Sequence, residues 1–367
     1  MSTLSQLLHT LTRSSMLVFT GLLPAVLLLL LAGGCGTSDA PETSTEQITD
    51  HTIEDLTRFA GEPDTLIGTI SAMAVAENGE LFVRDRNTLH AFRTDGTHRA
   101  SFGGTGEGPG EIQFPMGMNV RNDSVFVVDL AKQGQVTFTT DGAYAGLAPV
   151  PVFGSRYAFG PAGHIAILGA TSPDSTVAVY DDAGTELYQA VTPLQEGRIV
   201  IDMQDTRSRI VAGEVPDVLH AMSGSVALDA DGGLWFVRSS TAEVMRYTSS
   251  GQQEWARTLD IPETDRIYDA FVEANAALDE PNRLFPLQYV HSPVAVGEAL
   301  WLMVGMPEDE PAQLIVLDSE GALRHRLHVP GAEGARSFVL SPDRTQIYLS
   351  IPNRVQIMAA ALPAAVR

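Results

Sequence analysis

The sequence predicts an all-β fold built from six repeated, four-stranded antiparallel sheets. Short runs of β-branched and aromatic residues recur along the chain, and Gly, Asp, Asn or Pro bounds each run, which is typical of a β-meander. Equivalent runs end at Asp85 and Asp129, so one unit takes about 45 residues, the size of a propeller blade. Six such units fit within the 367 residues beside an N-terminal segment. The sequence therefore predicts a six-bladed β-propeller over residues 61–367.

Turn residues and one helical pattern complete the predicted elements. Pairs such as Asn78-Gly79 and Asp95-Gly96 supply the positive φ that tight hairpins require. One short helical insert is expected between blades 4 and 5, where Thr264 can cap a helix that places Ile267 and Phe271 on one face. We expect this helix to pack across the blade mouths, and a lid over a binding site is the alternative.

The first 34 residues have the pattern of a secretory signal. An apolar stretch from Met16 to Ala32 follows a mostly polar segment, and small residues precede Cys35. The run Leu31-Ala32-Gly33-Gly34-Cys35 resembles the lipobox of bacterial lipoproteins, which implies that Cys35 is lipidated and becomes the mature N-terminus. An uncleaved membrane anchor is the alternative, because the apolar stretch approaches the length of a spanning helix. In both cases the chain is expected to be exported, and Gly36 after the cysteine favours the outer membrane.

Residues 35–60 are predicted to form the lipidated cysteine and a flexible tether. The segment 36–50 has no aromatic residue and is rich in Ser, Thr, Asp and Glu, so it buries too little surface to offset the cost of ordering it. The predicted organisation is therefore a signal peptide over 1–34, a tether over 35–60 and a propeller over 61–367.

Charge and cysteine content exclude several classes of function. The chain has 23 Lys and Arg against 45 Asp and Glu, a formal net charge of −22, and no basic run. This excludes nucleic acid as a partner and a basic patch for anionic lipid. The single cysteine excludes an internal disulfide and, once lipidated, a thiol nucleophile. We expect a monomer that attaches to the membrane through Cys35.

Blades 1 and 2 carry a resemblance to known propeller families. The pattern apolar-Val-x-Asp, a spacer, apolar-x-Phe and then Asp-Gly is similar to NHL-type repeats. The glycine-rich segment from Phe102 to Glu111, followed by Pro115, resembles the first inter-blade loop of six-bladed propeller lipoproteins of Bacteroidetes-like bacteria. This resemblance implies a fold and a location more than an activity. A phosphate-binding loop is disfavoured because the segment lacks the Gly-Lys-Ser/Thr ending.

Any ligand site is expected at the mouth of the central channel. Connections in a meander alternate between the two ends of its strands, so the long second-to-third loops and the inter-blade crossings share one face. The candidate ligand-binding residues on that face are Asp85, Asp129 and Arg238, which end second strands, and Arg84, which precedes Asp85. The structural alternative is that such aspartates accept hydrogen bonds from loop amides and hold the blade corner.

The sequence predicts no catalytic residue, metal site or cofactor. The acidic loop from Pro307 to Pro311 has the oxygen ligands that calcium prefers, but adjacent side chains do not all converge, so a solvated loop is favoured. The leading hypothesis is an exported, lipid-anchored propeller that binds a protein, peptide or glycan at the cell envelope. The alternative is a channel-mouth enzyme of the metal-dependent lactonase, hydrolase or lyase type, an analogy that rests on the fold.

Overall fold

The blades form a closed ring around a central channel. The structure, a computed structural model, describes residues 48–60, 66–151, 154–160, 163–172, 174–195, 200–280 and 282–367. Within these ranges the strands form six sheets, each with four antiparallel strands in a meander, and one sheet has a fifth strand. Each innermost strand contacts the innermost strands of both neighbouring sheets. The predicted six-bladed β-propeller with four-stranded blades is therefore confirmed.

Each blade runs from an inner strand at the channel to an outer strand at the rim. In chain order, two N-terminal strands are β1 (Thr49–Thr52) and β2 (Thr57–Arg58), and blade 1 has β3 (Ala72–Val75), β4 (Leu81–Asp85), β5 (Thr88–Phe92) and β6 (His98–Gly103). Blade 2 has β7 (Pro115–Arg121), β8 (Ser124–Asp129), β9 (Gly134–Thr139) and β10 (Tyr144–Pro149), and blade 3 has β11 (Arg156–Phe159), β12 (Ile165–Ser172), β13 (Ser175–Tyr180) and β14 (Glu186–Ala190).

The second half of the ring repeats this pattern. Blade 4 has β15 (Gly224–Leu228), β16 (Leu234–Arg238), β17 (Glu243–Tyr247) and β18 (Gln253–Thr258). Blade 5 has β19 (Val290–Val296), β20 (Ala299–Val304), β21 (Ala312–Leu317) and β22 (Leu323–Val329), and blade 6 has β23 (Ser337–Leu340), β24 (Gln346–Ile351) and β25 (Gln356–Ala361). Short 3-10 turns lie at Pro352–Arg354 and Ala364–Val366.

The hydrophobic core lies between the blades. Six clusters of buried side chains each join two adjacent blades. Successive side chains of a strand point to opposite faces of its sheet, so Phe82 packs toward blade 2 while its neighbours Leu81 and Val83 pack toward blade 6. Because each blade packs against a neighbour on both faces, its strands are apolar on both faces. The repeats therefore appear in the sequence as continuous apolar runs.

The N-terminal strands complete the last two blades. β2 pairs antiparallel with β25 as the outer strand of blade 6, and β1 lies parallel to β22 as a fifth strand of blade 5. Next to β2, the Phe59 amide donates to the Ile357 carbonyl at 2.8 Å. These strands lie inside the range 35–60 predicted as tether, so the propeller begins before residue 61. The sequence did not indicate them because such short rim strands of Thr, Asp, His and Arg have no apolar alternation.

Three helices lie beside the blades in the described ranges. The predicted insert between blades 4 and 5 is confirmed as α3 (Thr264–Ala276), which buries Ile267, Phe271 and Asn275; Thr264 lies inside it, and Glu263 holds the cap position. The two other helices, α1 (Met203–Val211) and α2 (Asp217–Met222), lie between blades 3 and 4 and were not predicted. They lacked a clear signal because α1 buries only Thr206 and Ile210 on its mostly polar surface.

Several predictions concern residues outside the described ranges. These are the signal peptide over 1–34, the lipidated Cys35 and the tether up to residue 47. Among the residues that are described, no helix is long and apolar enough to cross a membrane.

Candidate ligand site at the channel mouth

Asp129 ties an inter-blade crossing to blade 2. Its side chain is fully buried, and its two oxygens accept hydrogen bonds from four backbone amides. The donors are Gln113 at 2.6 Å, Phe114 at 3.0 Å, Ala131 at 3.0 Å and Lys132 at 3.3 Å. These contacts are the ones expected of an aspartate that holds the blade corner, which is the structural alternative to ligand binding.

Asp85 occupies the equivalent position in blade 1, and Arg84 lies beside it. The Asp85 Oδ2 accepts a hydrogen bond from the Gly68 amide at 2.6 Å, again from the segment that precedes the inner strand. Arg84 is 7 % exposed, its Nη1 donates to the Arg86 carbonyl at 3.1 Å, and its Nε has no partner among the described residues. Burial lowers the pKa of the Arg84 guanidinium.

Arg238 ends the second strand of blade 4 and is already paired. Its guanidinium forms an ion pair with Glu243 and lies 5.6 Å from the ring centroid of Phe236. The carboxylate of Glu243 therefore offsets the positive charge of Arg238. Neither Arg238 nor Arg84, Asp85 or Asp129 lines the cavity described next, and their role in ligand binding stays a prediction.

A polar cavity of about 380 Å³ lies where the inner strands of blades 3 to 6 begin. Inner strands begin on the face that carries the long loops, so this cavity lies at the expected mouth of the channel. Its charged and polar lining includes Arg156 at the start of β11, Ser225 in β15, His291 and Ser292 in β19, and Arg336 before β23. We call it the channel-mouth cavity.

The charge of the channel-mouth cavity comes from its arginines. His291 is 8 % exposed, and burial together with the fields of Arg336 and Arg156 lowers its pKa to about 4. The imidazole is therefore neutral at pH 7, while both guanidinium groups are charged. Arg156 is exposed and forms no ion pair within the described part of the chain.

Arg336 shares its charge with the acidic loop. Its Nη2 forms an ion pair with Glu308, and the other Glu308 oxygen accepts from Asn353 Nδ2 at 3.0 Å. In the same loop, Glu310 pairs instead with Arg266 of α3 at 2.6 Å. The loop carboxylates of Glu308 and Glu310 thus pair with different arginines. No group of three metal-ligating side chains occurs among the residues described.

A β-bulge shapes the floor of the channel-mouth cavity. The pairing of β19 with β20 shifts between His291 and Val294, and Ser292 has a left-handed backbone with a φ of 53°. Non-glycine residues in this region cost free energy and occur often at functional sites. The Ser292 Oγ donates to the Arg336 carbonyl at 3.1 Å and lies 3.0 Å from His291 Nδ1. The bulge therefore joins the histidine of blade 5 to blade 6.

A larger cavity of about 600 Å³ lies beside α1 and α2, with Asp202, Arg209 and His220 in its lining. Its wall also includes Gln195 and Val200, which flank residues outside the described ranges. The channel-mouth cavity is the better defined of the two because described strands hold its polar residues.

The residues of the channel-mouth cavity were not predicted from the sequence. The predicted site residues lie at the ends of second strands, whereas Arg156, His291 and Arg336 lie at the starts of inner strands. A signal was present, since a polar residue directly precedes or opens the apolar run of each of these strands, as in Arg336-Ser337-Phe338-Val339-Leu340.

The fold and the site define a six-bladed β-propeller with a cationic cavity at its channel mouth. Residues 61–163 match the model of a family described as a 6-bladed beta-propeller. A Bacteroides fragilis protein whose name suggests export has a similar structure, with a TM-score of 0.51 and 12% identity over 86% of this chain and 99% of that one. No curated protein matches by sequence.

Two enzymes have structures with weaker similarity. A Xanthomonas campestris gluconolactonase has a TM-score of 0.49 and 12% identity over 84% of this chain and 89% of its own. A Staphylococcus aureus virginiamycin B lyase has a TM-score of 0.43 and 14% identity over 80% of each chain. At these identities the similarities describe the fold alone.

Proposed function

We propose that this propeller is a binding module that holds the anionic group of a ligand at the mouth of its central channel. The observation that carries the proposal is that Arg156 and Arg336 line one cavity of a protein with a net charge of −22. With 45 acidic residues in the chain, a lone arginine has many potential partners, yet Arg156 forms no ion pair within the described part. Guanidinium groups suit carboxylate and phosphate oxygens because they donate paired hydrogen bonds.

The size of the channel-mouth cavity limits what can enter it. About 380 Å³ lies near the lower end of the range of small-molecule sites. The bound group is therefore a small molecule or the acidic end of a glycan, peptide or protein. Focusing of the arginine field inside a concave site raises the local concentration of such anions.

The experiment is a calorimetric titration of the full chain with cyclohexanecarboxylate and cyclohexyl phosphate, with uncharged cyclohexanol as the reference ligand. At least one of the two anions should bind, and Arg156→Gln should weaken it about tenfold or more, since charge-assisted hydrogen bonds contribute about 1.5–3 kcal/mol. Glu308→Gln should tighten binding, because it frees Arg336 from its ion pair.

The matched control is Arg93→Gln. Arg93 is exposed in the turn after β5, on the opposite face of the ring, and its loss changes the net charge equally. Equal weakening by Arg93→Gln and Arg156→Gln would contradict the proposal, because it would show a general charge effect.

The enzymatic alternative has one supporting observation, a neutral imidazole beside two arginines. The two functions differ in turnover. Chromatography of the ligand after incubation with the protein separates them: an unchanged ligand supports a binding module, and a new product supports a channel-mouth enzyme.

We further propose that the protein acts at the cell envelope, exported and held to the outer membrane by a lipid on Cys35. The signal pattern and the lipobox resemblance support this, as does the name of the structurally similar Bacteroides fragilis protein. Cys35→Ser should release the protein from membrane pellets or stop its processing. Unchanged processing and membrane retention would contradict the lipid anchor.

A further inference from the structure

We propose that the ligand of the channel-mouth cavity is a sugar acid, a carboxylate with hydroxyl groups beside it, and that His291 accepts a hydrogen bond from one of those hydroxyls. This inference rests on the proposed function and names its ligand class. It is carried by the hydrogen-bond contacts and unused hydrogen-bonding capacity of three groups: His291, Ser292 and Ser225.

The hydrogen bonds of Ser292 fix the tautomer of His291. A hydroxyl has one proton, and the Ser292 Oγ donates it to the Arg336 carbonyl at 3.1 Å, because a carbonyl can only accept. The contact of 3.0 Å between Ser292 Oγ and His291 Nδ1 must then run the other way, with Nδ1–H as the donor. A neutral imidazole carries one proton, so His291 Nε2 is left with a lone pair.

That lone pair is free to accept a hydrogen bond from a ligand. His291 lines the channel-mouth cavity, and its Nε2 has no hydrogen-bond partner among the described residues. The charges of Arg156 and Arg336 disfavour a ligand ammonium at this place. A neutral hydroxyl is a donor compatible with both arginines, and a neutral amide N–H is the alternative that acetylglycine tests below.

A second hydroxyl partner lies in the same cavity. The Ser225 Oγ is buried and has no hydrogen-bond partner within the described ranges, although it lines the cavity. A buried hydroxyl without a partner costs free energy that a polar ligand recovers. A ligand with several hydroxyls can therefore satisfy both Ser225 and His291.

The charge balance favours a carboxylate over a phosphate. Arg336 is already paired with Glu308, so only Arg156 offers a full uncompensated positive charge. One such charge matches a monoanionic carboxylate, whereas a phosphate monoester carries nearly two negative charges at pH 7. A ligand that has one carboxylate and hydroxyl groups beside it is a sugar acid of the uronate type.

The test compares five probes on the full chain by calorimetry: D-glucuronate, cyclohexanecarboxylate, methyl glucoside, glucose 6-phosphate and acetylglycine. D-Glucuronate should bind about tenfold tighter than cyclohexanecarboxylate, the effect of about one net hydrogen bond. Methyl glucoside, which lacks the charge, should bind weakest. Tighter binding of glucose 6-phosphate or of acetylglycine would overturn the proposal in favour of a phosphate or a peptide end.

Two substitutions of His291 separate its hydrogen bond from its packing. His291→Phe should remove the preference for glucuronate over cyclohexanecarboxylate, since a phenyl ring has no lone pair that accepts from a hydroxyl. His291→Gln retains a side-chain acceptor and should restore part of the preference. Equal binding of glucuronate and cyclohexanecarboxylate by the wild-type chain would overturn the inference and leave the proposed function standing, whereas no binding of any of the anionic probes would refute both.

Ser292 is a positioning residue in this proposal. Nitrogen-15 NMR of the wild-type chain should show His291 protonated at Nδ1, and Ser292→Ala should shift the tautomer toward Nε2–H and reduce the preference for glucuronate. A wild-type histidine protonated at Nε2 would overturn the proposal independently of any ligand.

Discussion

His291 connects the chemistry of the channel mouth to the stability of the fold. The residue is 8 % exposed and lies in the fields of Arg156 and Arg336, while the carboxylate of Glu308 is paired with Arg336. Burial and the two positive charges all oppose protonation. An unfolded chain has none of these constraints, so its histidine takes up a proton near pH 6.5.

The stability of the protein should therefore fall between pH 6.5 and pH 4. The folded pKa of His291 is lowered to about 4, so its contribution is fully present above the unfolded pKa and is lost as the pH falls toward the folded one. The loss amounts to about 3 kcal/mol at most, from about 1.4 kcal/mol per pH unit. Urea unfolding at several pH values measures it, and His291→Gln should show a shallower decline. The same slope in both proteins would exclude His291 as the cause.

The elements show which parts of the fold a sequence can predict. Blades 1 to 6 were predictable because each carries apolar runs broken by turn residues, and α3 was predictable from its spacing of Ile267 and Phe271. β1, β2, α1 and α2 were not, because their stability comes from neighbours rather than from their own patterns.

The candidate site was less predictable than the fold. The correct face followed from the alternation of connections, but the residues at the channel-mouth cavity come from four different blades. A bulge at Ser292 and an ion pair between Glu308 and Arg336 set the geometry and charge of this cavity. Neither contact has a local sequence signal, since both join segments that are distant along the chain.

Phe59 should contribute strongly to closure of the ring. It follows β2, packs into the cluster between blades 6 and 1, and its ring centroid lies 4.8 Å from that of Tyr348. Phe59→Ala should lower the free energy of unfolding by about 2–4 kcal/mol, through lost burial and a cavity. The matched control is Phe114→Ala, whose ring is 59 % exposed and which should cost less than about 1 kcal/mol. Equal losses in thermal or urea unfolding would refute this role for Phe59.

At the scale of the whole molecule, the surplus of carboxylates opposes compactness. The formal net charge is −22, and the charged surface repels itself most strongly in dilute buffer. Screening shortens the reach of this repulsion to about 3 Å in about 1 M salt.

Added salt should therefore raise the melting temperature. Sodium chloride and choline chloride should act alike, because screening does not depend on the identity of the cation. Arg156→Gln should show the same rise, which separates screening of the surface from chloride binding in the cavity. A flat response, or a rise with only one of the two salts, would contradict the repulsion argument.

The pairing of β2 with β25 also limits how early the ring can close while the chain is being synthesised. Thr57 lies opposite Ala359, so the ring closes between positions near the two ends of the described fold. That contact cannot form until Ala359 has been synthesised, and joining strands separated by such a length of chain carries a large loop-closure entropy. The ring therefore stays open until the last strand of blade 6 has been synthesised, and the five blades before it must wait for that strand before they can form a closed circle.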